Sequence, residues 1–230
     1  MFIGGYQKLT LIDFPGRLAA TVFTVGCNFR CPFCHNPELV SNIKQIANGL
    51  EKDFFEFLKK RKDKIEGVCI TGGEPTLQPD LMEFIKKIKT LGFLVKLDTN
   101  GARPDVLKKI IEQKLVDYIA MDIKNQPKKY DATTGVKGDI ARIKLSVELI
   151  TRGKIPYEFR TTVVPGLHNE KDFLEIAKWI GGAQNYYLQE YREQTILDKK
   201  LKQKTKNKKI DLEKIKKMIE KNFGKVGVRS

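Results

Sequence analysis

The feature that most constrains this chain of 230 residues is an alternation. Short runs of β-branched and apolar residues are each followed by a longer stretch in which apolar residues recur with helical period. That pattern predicts βα units feeding a mainly parallel sheet. Six strand runs stand out: LAATVFTV (18–25), GVCI (67–70), FLVKLD (93–98), VDYIAMDI (116–123), YEFRTTVV (157–164) and NYYLQEY (185–191). Helical periods fall at about 49–62, 79–91, 104–114, 138–152 and 169–180. Pro79 and Pro104 sit where a first helical turn tolerates proline, and Asn169 is placed as an N-cap. A last helix carries Leu212, Ile215, Met218, Ile219 and Phe223 on one stripe, with a short strand KVGV after it. The segment NQPKKYDATTGVKG (125–138) has no period and reads as an unusually long loop, of the kind that carries function.

The length allows one well-buried core, and one domain is the default. No apolar run approaches the roughly 20 residues that cross a bilayer, and the first residues lack a charged stretch followed by a long apolar one, so a cytoplasmic protein without a membrane partner is expected. In a reducing compartment clustered cysteines bind metal or do redox chemistry rather than form disulfides. Lys and Arg number 43 against 28 Asp and Glu, for a net charge of +15. Much of the excess is local: from Asp198 to Ser230, twelve Lys and one Arg face four acids, a surplus of nine. The run KKLKQKTKNKK contains no aromatic residue on which a base could stack, so it reads as a solvated face rather than a grip on nucleic acid.

The chemistry-bearing residues fall at the carboxyl ends of the predicted strands. Cys27 follows the first, Gly72-Gly73-Glu74-Pro75 the second, Asp98-Thr99-Asn100-Gly101 ends the third, and Asp122 with Lys124 ends the fourth. In parallel α/β folds that edge is where ligands bind. Three of the four cysteines lie in CNFRCPFCHN (27–36), which admits three readings. A closed zinc site wants four ligands, and His35, the one candidate to complete it, is adjacent to Cys34, an awkward spacing. Covalent haem would use Cys31, Cys34 and His35, leave Cys27 without a purpose, and require export from the cytoplasm. An iron-sulfur cube ordinarily takes four thiolates, so three would leave one iron open, which is useless to an electron carrier and valuable to an enzyme. Cys69 stands apart among apolar neighbours and is expected to be a buried structural thiol.

The order C-x-x-x-C-x-x-C with Phe33 just before the last cysteine, followed by GGEP after the next strand, resembles the radical S-adenosylmethionine (SAM) superfamily. IDFPGRLAATVFTVGCNFRCPFCHNPEL, TGGEPTLQ, LDTNG and MDIK look like the activating enzymes of glycyl-radical enzymes, nearest the anaerobic ribonucleoside-triphosphate reductase activating proteins. The resemblance covers about residues 3–191 and leaves a basic helical extension at about 198–230. It implies a partial (β/α)6 TIM-like barrel, open on one side. Cys27, Cys31 and Cys34 would ligate three irons of a 4Fe-4S cluster, with the amino and carboxylate groups of SAM on the fourth. Reductive cleavage of SAM would then yield a radical that removes a hydrogen from a backbone glycine of a partner, here an anaerobic ribonucleotide reductase, with a low-potential flavodoxin or ferredoxin as electron donor. A pyruvate formate-lyase-type activating enzyme and a radical enzyme acting on a small molecule remain alternatives. A zinc-bearing nucleic-acid-binding module is the alternative of another class, and it does not explain motifs on successive strand ends.

Each further motif has a plain reading beside the implied one. GGEP is by itself a tight turn; by resemblance Gly72, Gly73 and Glu74 would accept the methionine ammonium of SAM. Phe33 would shield the cluster or pack on adenine. Asp98, Thr99, Asp122 and Lys124 would lie beside SAM or a monovalent cation next to it, or else pair with each other. Asp13 matches a position that faces the incoming glycine loop, and otherwise is a turn residue before Pro15. For a ribose contact Tyr191 and Arg192 are the candidates, since YYLQEYREQT departs from the Leu-Pro-Tyr-His pattern of the pyruvate formate-lyase activating enzymes. His35 would support the site from behind the cysteines, and His168 reads as a loop or cap residue.

Overall fold

The computed structural model describes residues 1–41, 49–193 and 195–229, so 42–48 and Gln194 and the last residue of the expected extension, Ser230, lie outside the described residues. Among the described residues eight strands form one sheet in chain order: β1 (Ile3–Thr10), β2 (Ala19–Thr24), β3 (Gly67–Gly72), β4 (Leu94–Thr99), β5 (Tyr118–Asp122), β6 (Tyr157–Val163), β7 (Asn185–Glu190) and β8 (Lys225–Arg229). β1 runs antiparallel to β2, and every later neighbour is parallel. β1 and β8 are the two ends of the sheet, which is therefore open. The six expected strands are β2 to β7, the body of a partial (β/α)6 barrel.

The helices are α1 (Glu38–Ser41), α2 (Leu50–Lys59), α3 (Leu81–Thr90), α4 (Pro104–Glu112), α5 (Tyr130–Thr134), α6 (Ile140–Arg152), α7 (Glu170–Ile180), α8 (Leu201–Thr205) and α9 (Leu212–Ile219). Their apolar stripes form the core outside the barrel. Phe84, Ile85 and Ile88 of α3, Leu107 and Ile110 of α4, Ile143 and Ile150 of α6, and Phe173, Ile176 and Ile180 of α7 are buried against the outward residues of the strands. Each such side chain contributes roughly 1.5–3 kcal/mol by leaving water. Pro104 opens α4 as expected. Asn169 caps α7 in a full capping box, its side chain accepting from the Asp172 N–H while Asp172 accepts from the Asn169 N–H.

The structure departs from the sequence reading in three places. β1, IGGYQKLT, was not among the predicted strands, because two glycines and two polar residues hide its period; pairing with β2 makes it a strand with only Ile3 and Thr10 fully buried. Pro79 lies outside its helix, since α3 starts at Leu81 after the N-cap Asp80. The expected loop 125–138 contains a turn of 3-10 helix (Pro127–Lys129) and α5. The basic extension holds α8 and α9 and then the expected KVGV strand, which joins the sheet as β8, parallel to β7.

Candidate active site

The cysteine loop leaves the end of β2 and is held by backbone hydrogen bonds from several directions. The Arg30 N–H donates to the Thr134 carbonyl (2.8 Å) at the end of α5, and the Cys34 N–H to the Cys31 carbonyl (3.0 Å). Gly135, at φ 71°, sits so close to this loop that a Cβ would lie 2.3 Å from the Arg30 carbonyl oxygen. The segment 125–138 thus acts as a brace for the cysteine loop. All four cysteines are free thiols, with Cys31 buried and Cys27 and Cys34 half-buried. Burial pushes the Cys31 thiol up to about 12 and raises Cys27 as well.

The two glycines of GGEP are required by packing between strand ends. A Cβ on Gly72, at φ 114°, would lie 2.3 Å from the Thr24 nitrogen, and one on Gly73 2.2 Å from the Gly26 carbonyl oxygen. In their absence the Gly73 and Glu74 N–H groups reach the carbonyls of Thr24 and Gly26, both at 2.8 Å. Glu74 itself is 1% exposed. Its carboxylate accepts from the N–H and hydroxyl of Thr76 (3.1 and 2.5 Å), the Thr99 hydroxyl (2.7 Å) and the Asn100 N–H (2.7 Å). Burial raises its pKa, opposed by those four donors. Glu74 is a clasp between the ends of β3 and β4. Asn100 extends the clasp, its Nδ2 donating to Asn28 Oδ1 at 2.8 Å and lying 4.0 Å from Cys27 Sγ.

Inside the barrel the inward residues form charged rows. Thr21, Cys69 and Lys96 are register neighbours, as are Asp122 and Arg160. Arg160 bridges two carboxylates, donating through Nε to Asp122 Oδ1 (2.9 Å) and through Nη1 to Asp98 Oδ2 (3.1 Å). Lys124 Nζ donates to Asp122 Oδ2 (2.9 Å), and Lys96 pairs with Asp98. Burial pushes both carboxylates up, but Arg160 with Lys124 for Asp122, and Arg160 with Lys96 for Asp98, hold them below the ordinary range. The pairing that was the plain reading of these residues is therefore present. Cys69 is fully buried as expected, yet it faces Lys96 Nζ at 3.8 Å in the barrel rather than the apolar core. Further along the barrel Arg229 of β8 makes a two-pronged ion pair with Glu158 of β6 (both 2.7 Å).

A cavity of about 440 Å³ gathers the residues singled out for the cluster, SAM and the glycine loop: Asp13, Cys27, Cys31, Phe33, Cys34, Gly72, Gly73, Glu74, Asp98, Thr99, Asp122 and Lys124. Phe33 is buried there, 5.9 Å from Lys124 Nζ. Asp13 accepts from the Thr21 hydroxyl at 2.5 Å. A neighbouring cleft of about 630 Å³ shares Asp13, His35, Arg160, Thr162 and Gln189 with the cavity and leads outward past Ile12 and Arg229. Arg192 lines that cleft and not the cavity; Tyr191 lines neither, stacking on His35 with ring centroids 6.2 Å apart. His168 is a positioning residue, its Nδ1 accepting from the Val164 N–H (3.0 Å) and its Nε2–H donating to the Lys124 carbonyl (2.8 Å). Arg160 and Asn100 were missed. The signal for Arg160 was its alternation with Glu158 and Thr162 along YEFRTTV, a polar period of two on one face of the strand, whereas Asn100 reads as an ordinary turn residue.

The donor set fits an iron-sulfur cluster. Three unpaired thiols face a common space, and among the described residues no three His, Cys, Asp or Glu side chains converge as tightly as a single ion requires.

The family described as the radical SAM superfamily matches residues 21–180, so the chain belongs to that superfamily, whose cofactors are a 4Fe-4S cluster and SAM. It is 31% identical over 239 residues, covering 99% of this chain and 95% of the relative, to a Methanocaldococcus jannaschii protein named as a glycyl-radical enzyme activating enzyme. It is 35% identical over 54% of its length, and 54% of the relative's, to the pyruvate formate-lyase-activating enzyme of Listeria monocytogenes. Among solved structures it is similar to Streptococcus suis SuiB bound to S-adenosylmethionine (TM-score 0.63, 18% identity, 89% of this chain and 48% of that one) and to Escherichia coli HemN (TM-score 0.58, 13% identity, 91% and 52%). The chain spans about half the length of these solved structures, and the likeness is one of fold. The chain is thus a radical SAM enzyme of the glycyl-radical-enzyme activating kind.

Proposed function

We propose that this chain installs a glycyl radical on a backbone glycine of a partner enzyme, an anaerobic ribonucleoside-triphosphate reductase. The observation that carries this reading is the continuity of the cavity holding the three thiols with a lateral cleft between the β1–β2 loop and the far end of the sheet, a passage suited to a chain segment. Cys27, Cys31 and Cys34 would hold the cluster, and Lys124 and Arg160, which line the cavity and with Lys96 outnumber the Asp98 and Asp122 carboxylates they pair with, would offer counter-charge to the carboxylate of SAM. The cluster and SAM together supply, when bound, a carbon-centred radical able to take a hydrogen from glycine Cα. The protein's part is to hold the reacting atoms and keep water and side reactions away: Phe33 and Phe29 wall the cavity, Glu74 and Asn100 lock the cysteine loop to β4, and Asp13 stands where cavity and cleft meet.

The test is anaerobic incubation of the cluster-loaded, reduced enzyme with SAM and the reductase from the same source. An electron paramagnetic resonance signal on the reductase is expected, its hydrogen splitting collapsing when glycine is deuterated at Cα. Turnover driven by a small metabolite with no radical on the reductase would replace this reading with the small-molecule one.

A further inference from the structure

The segment after β7, part of the chain's basic surplus, crosses the outer side of the cysteine loop. The Leu197 N–H donates to the Cys34 carbonyl (3.1 Å) and the Asp198 N–H to the Pro32 carbonyl (3.0 Å), while His35 Nε2 lies 3.0 Å from the Arg192 carbonyl. Ile196 and Leu201, 5% and 2% exposed, anchor this strap in the same apolar core as Phe33 and Cys31. Around the anchors Arg192, Lys199, Lys200 and Lys202 are exposed, as is Arg30 on the loop itself. Among the described residues none of these five is ion-paired with a carboxylate.

We propose that this strap is the docking surface for the electron donor of the cluster, an acidic, low-potential one-electron carrier protein. The inference rests on the reading that the three cysteines hold a cluster. With SAM and the substrate segment entering through the cavity and its cleft, which Arg192 borders, the stretch from Leu197 to Lys202, bonded to the cysteine loop at Pro32 and Cys34, offers the electron a separate approach. Its two hydrogen bonds end on carbonyls of Pro32 and of the ligand Cys34, so between a protein seated on the strap and the thiols lie the strap itself and the cysteine loop. The cations have no internal acid to satisfy and remain available to an external acidic surface, where complementary charge speeds encounter and fixes orientation. The step is a single electron transfer: the carrier is oxidised by one electron, the cluster is reduced by one, and no bond or atom is exchanged. On this proposal the part of the basic segment nearest the cluster does more than keep the surface solvated, which is the reading its composition alone supports.

The experiment uses the cluster-loaded full chain and two probes, a reduced acidic flavodoxin and a reduced ferredoxin. Binding is followed by fluorescence anisotropy as salt is varied, and cluster reduction by stopped-flow absorbance. The triple variant Lys199→Glu, Lys200→Glu, Lys202→Glu should weaken binding of the accepted carrier about tenfold or more at low salt and slow cluster reduction in parallel. SAM cleavage driven by dithionite should be unchanged in it, which verifies fold and cluster. The variant Lys206→Glu, Lys208→Glu, Lys209→Glu removes as much charge from the stretch that runs on beside the 165–171 loop, and should weaken binding far less. Equal effects of the two triples, no effect of the first, or failure of the wild-type chain to bind either carrier would overturn the proposal. Failure of dithionite-driven SAM cleavage in the wild-type chain would sink the functional reading instead, and the binding titration, which needs no turnover, would still decide the docking.

Discussion

Replacing Arg160 by Met is the most informative single change to the barrel interior. The guanidinium is 13% exposed and donates to Asp122 at 2.9 Å and Asp98 at 3.1 Å. Removing one partner of a buried ion pair costs about 3–5 kcal/mol when the remaining charge is left alone. Here neither carboxylate is left alone, because Lys96 stays on Asp98 and Lys124 on Asp122. The loss is therefore expected at the low end, about 3 kcal/mol at pH 7, or a fall in Tm of about 6–12 °C for a chain of this size. The pH dependence identifies the cause. Both carboxylates have folded pKa values below the unfolded 3.8, so their stabilisation is fully present above that value and is lost as pH falls through the folded ones. In Arg160→Met the depression is smaller, so the gap between variant and wild type should narrow below pH 3.8 by up to about 1.4 kcal/mol per pH unit for each carboxylate. Urea unfolding of the cluster-free protein at pH 7 and at pH 3 measures both quantities. A gap under 1 kcal/mol at pH 7, or one that is the same at pH 3, would refute the reasoning.

Three further outcomes are expected. Single Ala substitutions of Cys27, Cys31 or Cys34 should abolish stable four-iron loading and SAM cleavage, whereas Cys69→Ala should retain the cluster, as read by anaerobic iron and sulfide analysis; loss of the cluster in Cys69→Ala would undo the ligand assignment. Gly73→Ala, whose Cβ would lie 2.2 Å from the Gly26 carbonyl oxygen, should destabilise the protein by about 1–3 kcal/mol and lower cluster retention, because β3 must be pushed off β2. Asp13→Ala should impair hydrogen transfer from the partner's glycine more than it impairs cleavage of SAM without the partner, and equal damage to both would leave Asp13 a turn residue.

The body of the fold was legible because β2 to β7 and their helices obey simple periods, and because GGEP, DTNG and MDIK mark strand ends whatever their chemistry. β1 was harder, unlike the edge strand KVGV: an edge strand needs only one neighbour and one packed face, and two glycines in IGGYQKLT removed even that pattern. The cysteines, the Asp98 and Asp122 carboxylates and Lys124 were singled out from spacing and likeness, and the fold brings them to one cavity. Arg160 and Asn100 were not, since what matters in them is which strand ends they tie together, and that appears only when β4, β5 and β6 lie side by side. Glu74 shows the same limit from the other side: its place was correct, but its four protein donors become visible only in three dimensions.

The Glu158–Arg229 pair and the Asp98–Arg160–Asp122 bridge also bear on the mechanics of the open barrel. A sheet that does not close on itself by backbone bonds is soft to splaying, and these cross-strand ties stiffen it from β4 through β8. Among the described residues no such tie reaches β1, whose pairing with β2 is interrupted by two register shifts. The compliance of the barrel is thereby concentrated on one flank, so the mouth should widen by β1 swinging away from β2 while the rest of the wall, which carries the cysteine loop and the charges beside the cavity, stays in place. In hydrogen exchange, amides of β1 should open at lower free energy than those of β5 and β6.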